Sequence, residues 1–104
     1  MLLSATLIVR NEAAHLQRCL ESIRGVVDEV VVVDTGSTDE TTTIAAALGA
    51  RVLHHVWTDD FGVARNVGLA ACRGTWVLHL DADEALTPES AVELREVVSA
   101  SPAE

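Results

Sequence analysis

Val30-Val31-Val32-Val33-Asp34-Thr35-Gly36-Ser37-Thr38-Asp39 is an unbroken apolar run that ends abruptly at an acid and passes into glycine, hydroxyl and carboxylate residues. Consecutive valines without polar alternation suit a strand buried on both faces of a parallel sheet better than one with a wet side. The residues after Asp34 are turn formers. Ser37 with Glu40 three residues later matches a capping box, which opens a helix. Ile44, Ala45 and Leu48 give that helix an apolar face, and Gly49 closes it.

The same strand-to-helix unit recurs on both sides. Upstream, Ala5-Thr6-Leu7-Ile8-Val9 is a β-rich apolar run, and Asn11 is a candidate N-cap for a helix over residues 12–24. Ala13, Leu16, Leu20 and Ile23 form its apolar stripe with Cys19, and Gly25 stops it. Downstream, residues 52–56 predict a strand near a sheet edge, because His54 and His55 are adjacent. Asp59-Asp60 can cap a helix over residues 61–72, in which Gly62 and Gly68 each cost roughly 1 kcal/mol relative to Ala and so point to close backbone packing. Gly74 ends that helix. Residues 75–80 form a fourth strand, and Thr87 with Pro88 starts a last helix bearing Ala91, Leu94 and Val98 on one face. Alternating strands and helices imply a three-layer α/β/α parallel sheet with right-handed crossovers. Its expected order is 3-2-1-4, with the ligand-binding switch point between strands one and four at their carboxyl ends.

The 104 residues allow one domain of ordinary size, expected over residues 1–98 with a frayed end at 99–104. The composition is 49% hydrophobic and 22% charged, which is globular rather than disordered. Only 3% is aromatic, so the core must be aliphatic. Seven basic residues, all arginine, face 16 acids for a net charge of −9. That balance argues against nucleic acid as a partner, since such binding needs a basic footprint. A phosphate ligand would need a metal ion or local dipoles. Cys19 and Cys72 fit no close-spaced metal pattern and read as buried free thiols in a reducing compartment. The amino-terminal run lacks the flanks of a signal peptide, and no stretch approaches the ~18 apolar residues of a membrane span. A cytoplasmic location is expected.

The first strand-to-helix junction, Val9-Arg10-Asn11-Glu12, carries no glycine, and lysine is absent from the whole chain. A dinucleotide-binding turn and a P-loop are thereby disfavoured. The junctions are acidic instead. Asp34 ends the second strand, and Asp81, Asp83 and Glu84 follow the fourth, all at the carboxyl edge. An extended Asp81-Ala82-Asp83 would place both aspartates on one side, where they repel unless a cation lies between them. Hard oxygen donors suit Mg²⁺ or Mn²⁺, which takes one or two carboxylates and completes its shell with water and substrate phosphates. Asp-x-Asp also arises by chance, and an acid after a strand can simply cap a turn. Arg65 beside that edge could neutralise phosphate, or serve as a solvated or ion-paired surface residue. His15, His54, His55 and His79 receive no catalytic role. Trp57 and Trp76 read as core or interface anchors rather than stacking platforms. A haloacid dehalogenase-type phosphotransferase also carries Asp-x-Asp, but after its first strand and with a lysine, neither of which applies here.

Leu7-Ile8-Val9-Arg10-Asn11-Glu12, Val31-Val32-Val33-Asp34-Thr35-Gly36-Ser37-Thr38-Asp39, Ala64-Arg65-Asn66-Val67-Gly68-Leu69 and Leu80-Asp81-Ala82-Asp83-Glu84 together resemble glycosyltransferase family 2 over residues 4–95. With Trp57-Thr58-Asp59-Asp60-Phe61, the wording is most similar to bacterial cell-surface and lipopolysaccharide-core sugar transferases, some carrying helical repeats. The resemblance implies a GT-A fold and transfer of a sugar from a nucleotide-diphosphate donor to an acceptor hydroxyl, with inversion and a divalent metal. It implies that Val9, Arg10 and Asn11, with Asp34, Thr35, Gly36 and Ser37, hold base and ribose. Asp81 would meet ribose or metal, and Asp83 would bind the metal of a DXD motif. Many members carry a second acid where this chain has Thr35, so the donor reads as a UDP- or GDP-sugar.

The implied pathway is cell envelope polysaccharide biosynthesis, with a saccharide or lipid-linked acceptor in a longer enzyme. The family's general base has no match in residues 84–104, so the chain reads as the donor-binding half. A non-catalytic nucleotide-diphosphate-binding or oligomerisation module is the alternative. An open sheet edge and bare apolar surface predict self-association as a homo-oligomer.

Overall fold

The computed structural model describes residues 3–100. Its elements run β1 (Leu3–Val9), α1 (Ala13–Ser22), β2 (Glu29–Asp34), α2 (Thr41–Ala47), β3 (Arg51–His54), α3 (Phe61–Ala71), β4 (Trp76–Leu80) and α4 (Pro88–Ala100). All pairings are parallel, in the expected order β3-β2-β1-β4. Val31, Val32 and Val33 are wholly buried, as a strand covered on both faces requires. β1 is longer than expected because Leu3 pairs with Trp76 and Ser4 with Glu29. β3 stops at His54, and Val56, expected within it, is 82% exposed. α4 continues through Ala100, past the expected start of fraying, while residues 101–104 lie outside the described residues.

Alternation along β1 assigns the layers. Ala5, Leu7 and Val9 share one core cluster with Leu16, Cys19, Leu20 and Ile23 of the α1 region and Ala45 of α2. Leu3, on the same face, packs with Val98, Leu94 and Ala91 of α4 and with Trp76. Trp76 is thus the apolar anchor the sequence predicts. Ser4 and Thr6 point the other way, toward α3, where Gly68 sits over Thr6 and Val33. Gly68 has no room for a Cβ there, so close packing explains it. Gly62 differs: a Cβ added there would meet only the Asp60 carboxylate of its own helix cap, at 3.3 Å. Gly74, read as a helix stop, is also a close approach, with its missing Cβ falling 2.7 Å from the Ser4 backbone nitrogen.

The amino end of the sheet is pinned by one carboxylate. Glu29, its side chain 8% exposed, accepts from the Ser4 hydroxyl at 2.6 Å and pairs with Arg73 at 3.3 Å. Burial pushes its carboxyl up, but the Ser4 hydroxyl and the Arg73 amide and guanidinium outweigh that and hold it below the ordinary value of 4.5. A carboxyl depressed on folding stabilises above its unfolded pKa, and that contribution is lost as pH falls through the folded one. The melting-temperature gap between the wild type and Glu29→Gln should therefore be widest at neutral pH and narrow as pH falls below the ordinary value of 4.5. Thermal melts across that range check it.

Candidate functional site

The loops at the carboxyl edge are clamped to one another, and two local capping expectations give way to this. Asn11 does not cap α1. It takes the left-handed region, φ 53°, which asparagine tolerates better than most residues. Its carboxamide oxygen accepts from the Thr38 amide at 2.7 Å and the Asp39 amide at 3.3 Å, and its own amide donates to Ser37 Oγ at 2.9 Å. The first amides of α1 are met from the opposite loop. Glu12 donates to Thr41 Oγ1 at 2.9 Å and Ala13 to Asp39 Oδ2 at 3.3 Å. The Ser37–Glu40 capping box is likewise absent: Glu40 is the α2 N-cap without a side-chain cap bond, and Asp39 Oδ1 accepts from the Thr41 amide at 2.9 Å. The expected caps of α3 and α4 do form, through Asp60 Oδ1 to the Val63 amide at 3.1 Å and Thr87 Oγ1 to the Ser90 amide at 3.1 Å.

The clamp sets a prediction. Asn11→Ala loses both the acceptor and ease at positive φ, whereas Asn11→Gly loses the acceptor alone. Each should lower the unfolding free energy, Ala by about 1 kcal/mol more than Gly. Chemical denaturation of both variants measures the difference.

Asp34 and the Asp81–Glu84 segment share an edge but form no common carboxylate cluster among the described residues. Asp34 is 4% exposed, and its carboxylate accepts from the Gly36 amide at 3.4 Å and the Ser37 amide at 3.3 Å, with His54 Nδ1 at 3.6 Å. β1 lies between β2 and β4, separating Asp34 from Asp81 by two strand spacings, about 9.6 Å. Asp34 is thus kept apart from the Asp81 and Asp83 carboxylates, and it shapes the Thr35–Gly36–Ser37 turn. Thr35 ties β2 to β1, its amide and hydroxyl both donating to the Val9 carbonyl at 3.0 Å.

Nor does Asp81-Ala82-Asp83 stay extended. The strand ends at Leu80, and the Glu84 amide closes a turn on the Asp81 carbonyl at 2.9 Å while Glu84 Oε1 accepts from the Asp81 amide at 2.9 Å. Ala82 is buried and holds the turn down, leaving Asp81, Asp83 and Glu84 exposed. Among the described residues no group of three or more His, Cys, Asp or Glu side chains is placed to hold a metal on its own. The donors still fit a hard cation that takes two carboxylates and leaves positions for phosphate and water. Cys19 lies beneath, donating to the Asp81 carbonyl at 3.7 Å. Burial, then the Glu84, Asp83 and Asp81 charges, push its thiol up to about 11. Cys72, expected buried, is half-buried; both thiols are free.

Besides a hollow beside Asp34 and His54 at the ends of β2 and β3, two hollows open at this edge around the end of β1. The first, about 240 Å³, is lined by Thr6, His79, Asp81, Glu84, Arg65, Phe61, Ile8 and Leu80, and lies between β1 and β4, at the switch point. Arg65 makes no ion pair among the described residues, unlike Arg73 with Glu29 and Arg95 with Asp28. Burial and the Arg65 charge lower the pKa of His79, favouring the neutral imidazole beside it. The second hollow, about 250 Å³, is lined by Val9, Arg10, Glu12, Thr35, Ile8, Trp57 and Phe61. Trp57 is thus no core anchor: it is half-buried in the wall of a hollow. Asn11, Gly36 and Ser37 lie in the loop clamp beside it.

Fold and edge together define a Rossmann-like α/β protein with its candidate site at the β1/β4 switch point and acids where glycine-rich turns would otherwise be. Comparison with known proteins narrows the class. The family model for glycosyl transferase family 2 matches residues 4–103, and the chain belongs to that family. A TPR repeat-containing protein of Synechococcus elongatus is 53% identical over 88% of this chain and 23% of its own length. An uncharacterized glycosyltransferase of Rickettsia bellii is 41% identical over 84% of this chain and 29% of its own. Among solved structures, S. aureus TarS 1-349 superimposes with TM-score 0.81 at 27% identity, covering 95% of this chain and 32% of that one. Glucosyl-3-phosphoglycerate synthase from Mycobacterium tuberculosis, in complex with Mn²⁺, UDP and glucosyl-3-phosphoglycerate, gives 0.70 at 32% identity over 81% and 35%. The chain spans about a quarter to a third of the length of these relatives. No helix among the described residues is long and apolar enough to cross a membrane.

Proposed function

We propose that this chain is the donor-binding half of an inverting family 2 glycosyltransferase, which moves a sugar from a UDP- or GDP-sugar to a saccharide or lipid-linked acceptor. The observation that carries the reading is the exposed Asp81–Glu84 turn set against Arg65 at the switch-point hollow. The Mn²⁺ and UDP bound to the mycobacterial synthase support it. Cytoplasmic cell envelope polysaccharide synthesis fits the same reading.

Asp81 and Asp83 would hold Mg²⁺ or Mn²⁺. Such a cation, when bound, stabilises the negative charge that grows on the diphosphate as the sugar leaves. Arg65 brings a second positive charge to the same hollow and orients the phosphates there. The Val9–Thr35 bonds and the Asn11 clamp hold the base and ribose side rigid, so that little ordering is left to binding. With a net charge of −9, a diphosphate gains nothing from bulk attraction, so its binding should require the cation. The base that deprotonates the acceptor belongs to a part of the enzyme beyond this half. Self-association would come through exposed Val56 and Val97, and sedimentation at micromolar concentration reads it.

Calorimetric titration with UDP and GDP, with and without Mn²⁺, tests the proposal. Metal-dependent binding tighter than about millimolar is expected, and its absence for both nucleotides overturns the reading.

A further inference from the structure

The two hollows differ in chemistry and share the Ile8 and Phe61 walls. One holds Asp81, Glu84, Arg65 and His79. The other is mostly apolar and aromatic, with Val9, Trp57 and Phe61 around the ends of β1 and β2. With a divalent cation on Asp81 and Asp83 joining Arg65, a ligand that spans both carries anionic groups at one end and a flat, weakly polar face at the other, which describes a nucleoside diphosphate. We propose that Trp57 is the platform on which the nucleobase of the donor stacks, with Phe61 as the divider between base and diphosphate; this rests on the donor-site reading above.

The ring is held ready for that role. Its indole N–H donates to Asp59 Oδ1 at 3.0 Å, so it needs no partner from a ligand. Phe61 meets it edge-on, 6.5 Å between centroids and 71° between planes, an arrangement in which one ring braces the other. Phe61 is itself 56% exposed and lines both hollows, so its ring is open to a ligand. Trp57 also lies outside both core clusters, so packing does not account for it. Stacking tolerates any base, because every base has a π-face. Trp57 therefore sets affinity, and the choice between uracil and guanine falls to polar groups near Arg10 and Thr35.

The chain has two tryptophans, and Trp76 lies at the opposite end of the sheet, paired with Leu3. The Trp76→Phe chain therefore reports on Trp57 by fluorescence. UDP or GDP with Mg²⁺ should quench its emission, whereas pyrophosphate with Mg²⁺, which lacks a base, should leave it unchanged. Calorimetry should show Trp57→Ala binding UDP roughly 5- to 100-fold more weakly, with Trp57→Phe retaining most of the affinity. Circular dichroism melts of each variant separate loss of fold from loss of binding. Calorimetric binding of nucleotide without any change in Trp57 emission, or with Trp57→Ala binding as well as wild type, overturns the platform while leaving the donor site intact. No nucleotide binding to the wild-type chain overturns both.

Discussion

Gly74→Ala is expected to cost about 3 kcal/mol or more, the upper end of what overpacking a tight site costs. For a domain of this size that is a fall in melting temperature of roughly 12–24 °C. The reason is what the added carbon meets. It would lie 2.5 Å from Ser4 Oγ, 2.7 Å from Ser4 N and 3.0 Å from Leu3 C, and two of those atoms are backbone of the central strand. Backbone cannot step aside as a side chain can. The Gly74 amide also donates to Ser4 Oγ at 2.8 Å, and Ser4 donates to Glu29, so a shift at Gly74 loosens the pin at the amino end of the sheet. Gly68→Ala is the comparison. Its carbon would meet the Thr6 Oγ1 and Val33 Cγ2 side chains, and replacing a helical glycine recovers about 1 kcal/mol. It should therefore cost less. Thermal melts of the two variants by circular dichroism rank them, and equal or inverted losses would contradict the account.

Asp83→Ala is expected to weaken metal-dependent nucleotide binding on the order of 100-fold, since even outer-shell partners of a metal contribute 10- to 100-fold. Its stability should stay within about 0.5 kcal/mol of wild type, as for an exposed surface change. Asp81→Ala should show a similar loss of binding. Asp34→Ala should behave differently, because the Asp34 carboxylate is buried and satisfies turn amides. It should lower stability, and reduce binding only as the turn loosens. Calorimetry with Mn²⁺ and UDP, paired with a melt for each variant, distinguishes a ligand to the metal from a support of the turn.

The order of the strands was legible because it follows from burial. Val31–Val33 has no wet side, and the histidine pair marks the edge. The α3 and α4 caps were legible because each is closed within three residues. The loops of the site were not, because their hydrogen bonds join residues 26 to 29 positions apart. Asn11 and Ser37 each look like a local cap, yet tertiary partners compete for the same atoms and win. That Asp34 stands at the same edge as Asp81 was legible, but its own amide partners were not, because they depend on how the turn after β2 folds back. Gly74 looked like punctuation, and nothing local in the sequence announces Ser4 as its neighbour. Trp57 was hardest to read: a large apolar residue is assigned to packing by default, and only its place in the wall of a hollow says otherwise.

The most direct test of the account is where a nucleotide and its metal bind. In amide NMR spectra of the chain with UDP, replacing Mg²⁺ by paramagnetic Mn²⁺ should broaden the resonances of residues 81–84 first, with UDP-induced shifts at Thr35, Gly36 and the Trp57 indole. Broadening centred instead on the opposite edge, at the hollow lined by Gly25, Asp28 and Gly49, would contradict it.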